Sequence, residues 1–182
     1  MKKIKLTQGK FALVDNEDFD YLNQWKWCVV RRKNNYYAER RATAKERETS
    51  ANNIKMHRVI INAQPGFLTD HKDHDGLNNQ KCNLRSCNNS QNKANSIKQK
   101  GQTSSKYKGV TWDASVNKWV AQKRFNKKTI KLGRYKSEED AAIAYDKIAI
   151  KLHGEFAYLN FPKEKRAGEY GELNYCWRLL IK

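Results

Sequence analysis

Residues 70–92 concentrate most of the groups in this chain that could do chemistry. Asp70-His71 is followed by Asp73-His74-Asp75, and then by the carboxamides Asn78, Asn79, Asn83 and Asn92. Aspartate and asparagine oxygens suit a hard cation such as Mg2+, which keeps several waters and binds through few protein groups plus phosphate. A neutral histidine beside such a site takes the proton from an attacking water. The turn signal Asp75-Gly76 bends the chain here, downstream of the apolar runs Val59-Ile60-Ile61 and Phe67-Leu68. Hard metal, general base and a very basic chain together point to phosphodiester hydrolysis on a nucleic acid.

The series Met56-His57-Arg58-Val59, Asp70-His71, Asn79, Asn83-Leu84-Arg85 and Asn92 resembles the HNH endonuclease motif in its phage and intron homing form, over roughly residues 55–97. The resemblance implies a ββα unit wrapped round one divalent cation, Mg2+ or Mn2+. It also implies Asp70 and Asn92 as metal ligands, His71 as general base, and Asn83 as the residue that holds the loop and orients the histidine. Asp73-His74 repeats the Asp70-His71 pair, and Asn95 stands as far beyond Asp73 as Asn92 beyond Asp70. The family spacing from the Asn83 anchor selects His71, which leaves His74 as a solvated loop residue. Arg85 is placed to clamp the scissile or a neighbouring phosphate, or to pair with one of the loop aspartates. His57, among Ile54, Met56, Val59 and Ile60, reads as a buried, hydrogen-bonded histidine that supports the fold.

Composition agrees with a polyanionic partner. Lys plus Arg outnumber Asp plus Glu by 37 to 19 in 182 residues, a formal net charge of +18 and a pI near 9.8. Neutralising phosphates with such residues makes affinity fall steeply with salt. A membrane partner is disfavoured, because no apolar run approaches the ~20 residues of a spanning helix and no signal peptide opens the chain. The expected location is the cytoplasm. Cys28, Cys82, Cys87 and Cys176 form no C-x-x-C pair, so a four-cysteine zinc site is not expected.

The elements around the motif follow from alternation and turn residues. Residues 1–54 form a β-rich segment: a strand near Phe11–Val14, an acidic turn or short helix over 15–22, and two strands around Trp25–Val30 and Tyr36–Arg40 joined by Lys33-Asn34-Asn35. Arg31, Arg32, Lys33, Arg40 and Arg41 decorate that hairpin, which either lies in a DNA groove or packs on the catalytic unit. Asn88 or Ser90 is the N-cap of a helix carrying Asn92. Residues 98–105 are a polar linker.

From Lys106 to Lys136 ten basic residues face one acid, Asp113. Three alternating stretches, 107–112, 118–124 and 128–133, read as strands. Ser137-Glu138-Glu139-Asp140 opens a helix, because Ser caps and the acids complement the positive end of the dipole. Ala141, Tyr145, Ile148 and Leu152 recur at helical spacing, so one stripe packs on the sheet and Gly154 stops the helix. Tyr107-Lys108-Gly109-Val110, Lys118-Trp119, Leu132-Gly133, the run Ala141-Ala142 to Asp146, and Leu159-Asn160-Phe161-Pro162 resemble the AP2 DNA-binding domain. That resemblance implies a three-stranded antiparallel sheet, backed by one helix, that enters the major groove. It puts Lys108, Thr111, Gln122, Arg124, Thr129 and Lys131 at DNA-contact positions. Most of these are Lys, Thr or Gln where the plant domain has arginine and tryptophan, so base specificity does not carry over.

The fold class expected is α+β, with the β-rich segment 1–54, an HNH unit 55–97, the linker 98–105, an AP2-like domain 106–162 and a tail 163–182 that packs back on the body or on a second subunit. The function expected is a homing-type, metal-dependent endonuclease acting on double-stranded DNA, with no small-molecule substrate. The alternative is a DNA-binding transcriptional regulator with an inactive HNH unit. An RNA target is weaker, because the A-form major groove is too narrow for the sheet.

Overall fold

The computed structural model describes residues 1–33, 35–48, 52–98, 101 and 103–162. They fall into two compact units, Met1–Ser96 and Ile97–Lys182. The segment 163–182, expected to pack back, lies outside the described residues. Among the described residues no helix is long and apolar enough to cross a membrane.

The first unit is made of small antiparallel sheets and short helices. β1 (Lys2–Lys5) pairs with β2 (Phe11–Val14). Helix α1 (Asn16–Leu22) follows, then β3 (Cys28–Arg32), β4 (Asn35–Arg41), the single-turn α2 (Ala44–Arg47) and β5 (Asn53–Lys55), with β4 central in its sheet. α3 (Met56–Ile60) leads to β6 (Leu68–His71), β7 (Leu84–Cys87) and α4 (Asn89–Asn95). β6 and β7 are antiparallel, in a register that sets Asp70 directly opposite Arg85.

One core runs through this unit. Ile4, Leu6, Val14, Leu22, Trp27, Val29, Ala38 and Met56 are buried together, so residues 1–54 share their hydrophobic interior with the start of the motif segment. The Trp27 indole N–H finds the Leu22 carbonyl at 2.8 Å, which lets so large an amphipathic ring be buried. Arg40 is buried over the Trp25 ring, 4.2 Å from its centroid, and pairs with Glu46 at 2.6 Å. The hairpin β3–β4 therefore turns at least one of its arginines inward.

This scaffold grips the motif loop at defined points. The Leu13 N–H donates to the Leu77 carbonyl, and the Asn79 N–H donates to the Leu13 carbonyl, both at 2.8 Å. The Asp15 carboxylate accepts from the Lys81 N–H at 2.8 Å and from the Gln80 side chain at 3.1 Å. Gly76 lies so close to the hairpin that a Cβ there would collide with the Tyr36 carbonyl oxygen and the Tyr37 ring. The turn signal Asp75-Gly76 is thus a docking point as well as a bend.

The second unit follows chain order. β8 (Val110–Asp113), β9 (Lys118–Phe125) and β10 (Lys128–Tyr135) form an antiparallel sheet with β9 in the middle, backed by α5 (Glu138–His153). Ser137 caps α5 by accepting from the Glu139 and Asp140 N–H groups, and Gly154 ends it at φ 54°. The buried stripe of α5 is Ala141, Ala142, Tyr145, Asp146 and Ala149, while Ile148 and Leu152 are only half-buried. Small residues dominate because the helix sits close to the strands: a Cβ at Gly109 would strike the Tyr145 ring. Asp146 is buried because it is satisfied, accepting from the Asn160 and Phe161 N–H groups at 2.9 Å each.

Candidate active site and nucleic-acid interface

Asp70 and His71 end β6, each 6% exposed. Both oxygens of the Asp70 carboxylate are engaged. Arg85, its cross-strand partner, reaches Oδ2 through Nε and through a terminal nitrogen, both at 2.8 Å. The Asn95 amide nitrogen lies 3.0 Å from each carboxylate oxygen and also donates to the His71 carbonyl at 3.1 Å. Asn95 is 4% exposed, whereas Asn92, one turn earlier on α4, is exposed. The carboxamide brought against Asp70 is therefore Asn95. Asn88 caps α4 through a reciprocal pair with Gln91, at 2.9 and 2.8 Å, and that start sets which helix face turns to β6.

His71 is held by residues from several elements. Its Nε2 lies 3.4 Å from Asn79 Oδ1, and Asn79 is fully buried. The His57 ring stands edge-on to it at 5.1 Å, and Tyr37 at 5.9 Å. Burial lowers the His71 pKa, against an opposing pull from Asn79 and the nearby aspartates, so the ring is neutral near neutral pH. Burial pushes His57 further, to about 3, helped by His71 and the adjacent Lys55 and Arg58. His57 is buried as its apolar neighbours imply, but its Nδ1 has no hydrogen-bond partner among the described residues.

Asn83 ties the loop together. Its amide donates to Asp73 at 2.9 Å and to the Asn78 carbonyl at 2.8 Å, and its Oδ1 accepts from the Asp73 N–H at 3.1 Å. The carboxamide at the His71 ring is Asn79 instead, a motif residue whose role spacing alone did not reveal. His74 is not a solvated loop residue, because its Nε2 sits 2.6 Å from the Asn95 carbonyl. Its backbone is left-handed, at φ 68°.

The donor chemistry fits a hard cation. Asp70 supplies a carboxylate, rotation of the Asn95 amide would present its Oδ1, and a guanidinium already occupies a cationic place against Asp70. Among the described residues no three His, Cys, Asp or Glu side chains cluster to hold a metal ion, so such a cation would draw its other ligands from carboxamide, water and phosphate oxygens.

In the second unit, directly opposed residues share a face. Thr129 faces Arg124, Lys131 faces Gln122, and Thr111 faces Val120, which puts Thr111, Gln122, Arg124, Thr129 and Lys131 on the side away from α5. Lys123 lies on the other side, buried, donating to the Tyr145 hydroxyl at 2.9 Å. Lys108 does not join the open face. It is half-buried with its ammonium 5.0 Å from the Tyr158 ring centroid, and burial together with Lys123 pushes its pKa down to about 8. Arg134 does join it: a bulge between Lys131 and Gly133 resets the alternation, so Arg134 faces Val120. Simple alternation through Leu132 and Gly133 hid this residue.

Residues 105–155 match the AP2 domain family, a match that implies DNA binding. The chain is 47% identical over 58 residues to an ethylene-responsive transcription factor of Arabidopsis thaliana, and 44% identical over 66 residues to a dehydration-responsive element-binding protein of Oryza sativa subsp. japonica. These matches cover 31% and 34% of this chain, and only 32% and 20% of the plant proteins. The match to an uncharacterised HNH endonuclease of Acanthamoeba polyphaga mimivirus is broader, at 30% identity over 159 residues, covering 84% of this chain and 76% of that one. No solved structure matches. The AP2 match marks a protein of the DNA-binding class. The viral relative places the chain in the HNH endonuclease family, carrying an AP2 domain.

Proposed function

We propose that the protein is a metal-dependent DNA endonuclease of the homing type. The observation that carries this is the constellation of Asp70, a neutral His71 and the Asn95 carboxamide, gathered by β6 and α4. One Mg2+ or Mn2+ would be held by Asp70 and a carboxamide of α4, Asn95 by its geometry or Asn92 by the family spacing. When bound, such an ion offsets charge on the phosphoryl and leaving oxygens.

The chain's own groups do the rest. If the His71 Nε2–H donates to Asn79 Oδ1, its Nδ1 keeps a lone pair to take the proton of the attacking water. Asn79, Tyr37 and His57 fix the ring against rotation, and Asn83 holds the loop that follows. Thr111, Gln122, Arg124, Thr129, Lys131 and Arg134 present a polar, cationic face to the major groove. There Arg124 would read guanine or a phosphate, and Gln122 adenine or a phosphate. In this reading Lys108 supports the sheet from its helix side.

A second reading has its own observation: Asp70 is already neutralised by Arg85, as in a DNA-binding regulator with a silent HNH unit. Supercoiled plasmid and phage genomic DNA, incubated with Mg2+, Mn2+ or chelator, separate the two. Metal-dependent nicking or linearisation that drops about 10²–10⁴-fold in His71→Ala, with gel retardation unchanged, supports the nuclease. Retarded but intact DNA supports the regulator.

A further inference from the structure

Resting on that reading of the site, we propose that Arg85 is the resting counter-ion of Asp70 and couples divalent-metal binding to DNA binding. The β6–β7 register sets the two residues directly opposite one another, so their pairing is built into the hairpin. Their side chains are only 11% and 7% exposed, and two guanidinium nitrogens bear on one carboxylate oxygen at 2.8 Å. Without metal or DNA, this cation keeps a buried carboxylate from standing as an uncompensated charge.

The same contact obstructs the metal. A divalent ion at Asp70 would meet a guanidinium at close range in a poorly solvated site, where like charges repel strongly. The guanidinium fork also matches phosphate geometry bidentately. A DNA phosphate arriving beside β7 offers Arg85 a second anion, and its departure from Asp70 opens the carboxylate to the ion. Linkage then runs both ways: DNA raises affinity for the metal, and the metal raises affinity for DNA by the same factor. Free enzyme would hold the ion weakly and assemble the site only on DNA.

The test reads binding rather than cleavage. Mn2+ affinity of the full-length protein is measured by electron paramagnetic resonance, without DNA, for wild type, Arg85→Gln and Asp70→Asn. Arg85→Gln should bind Mn2+ more tightly than wild type by on the order of tenfold, within the usual range of such couplings. A purely structural arginine would leave the affinity unchanged or weakened, and that result overturns the proposal. Asp70→Asn separates the two failures. If it loses Mn2+ while Arg85→Gln gains nothing, only the coupling is wrong; if it keeps wild-type affinity, the cation site itself is misassigned. Should Arg85→Gln not fold, the Arg85 Nε–H resonance of wild type decides, shifting when Mg2+ and a retarded duplex are added together and staying put if the coupling is absent.

Discussion

In the unit Met1–Ser96 the polar groups of the candidate site are buried and tied to one another, whereas those on the sheet of the unit Ile97–Lys182 stand open to solvent. Asp70, His71, Asn79, Asn83 and Asn95 are each below a tenth exposed, and each has a protein partner. On the sheet, Thr111, Arg124, Thr129, Lys131 and Arg134 are exposed. Of these, Arg134 meets an acid, Asp113, at 3.7 Å, and a surface pair of that kind contributes little. Chemistry on a phosphate needs its protein groups gathered close together beforehand, which a buried, hydrogen-bonded cluster provides. Reading a groove needs side chains free to meet another molecule. Mutations should therefore affect folding in one unit and only affinity in the other.

The sharpest break of that contrast is Asp70→Ala. It leaves the Arg85 guanidinium buried without its carboxylate and should destabilise the protein by about 3–5 kcal/mol in urea unfolding, while abolishing cleavage. Asn95→Ala comes next, at about 1–3 kcal/mol, because it strips bonds from Asp70 and from the His71 carbonyl. Asn92→Ala should leave folding within about 0.5 kcal/mol. Plasmid cleavage by these two variants shows which carboxamide serves the cation: a larger loss in Asn92→Ala favours the family spacing over the resting geometry. Arg124→Ala should weaken binding to the preferred duplex by about 1–3 kcal/mol in a gel-shift titration if it reads a base, and leave the melting temperature unchanged. A clear drop in melting temperature would show that the open face also supports the fold.

The last prediction is a pH dependence from His57. The unfolded chain takes up this proton below its ordinary 6.5, but folded His57 takes it only near 3. Between those values the unfolded state binds more protons, so stability falls as pH falls, by up to about 1.4 kcal/mol per pH unit. His71 acts in the same direction. Thermal unfolding from pH 7 to 5 should show that slope, and His57→Phe should flatten it; an unchanged slope would mean that His57 is hydrated.

The same contrast explains what was legible beforehand. The strands β8, β9 and β10 and helix α5 are neighbours in sequence as well as in space, so alternation, the Ser137 cap and the Gly154 stop define them locally. In the first unit β1 and α3 escaped detection, because each is a short element anchored by a residue of the shared core, Ile4 and Met56. Helix α2 buries nothing and is held by the local Thr43–Glu46 capping box, a signal the sequence reading passed over.

By itself the chain determined the two families it resembles, its basic charge, the Asp70-His71 pair and the open face around Arg124. Motif spacing and period-two alternation carry those without any tertiary information. Only the folded structure decided that Asn95 rather than Asn92 lies against Asp70, because the docking of α4 on β6 chooses between carboxamides one turn apart. It alone set Arg85 opposite Asp70, since strand register is not written in either strand. It turned Lys108 away, against the position that the resemblance gave it, and Arg134 outward, because one bulge reverses what alternation implies. And it joined residues 1–54 to the motif through a common core, since burial is a property of distant segments meeting and not of any segment read alone.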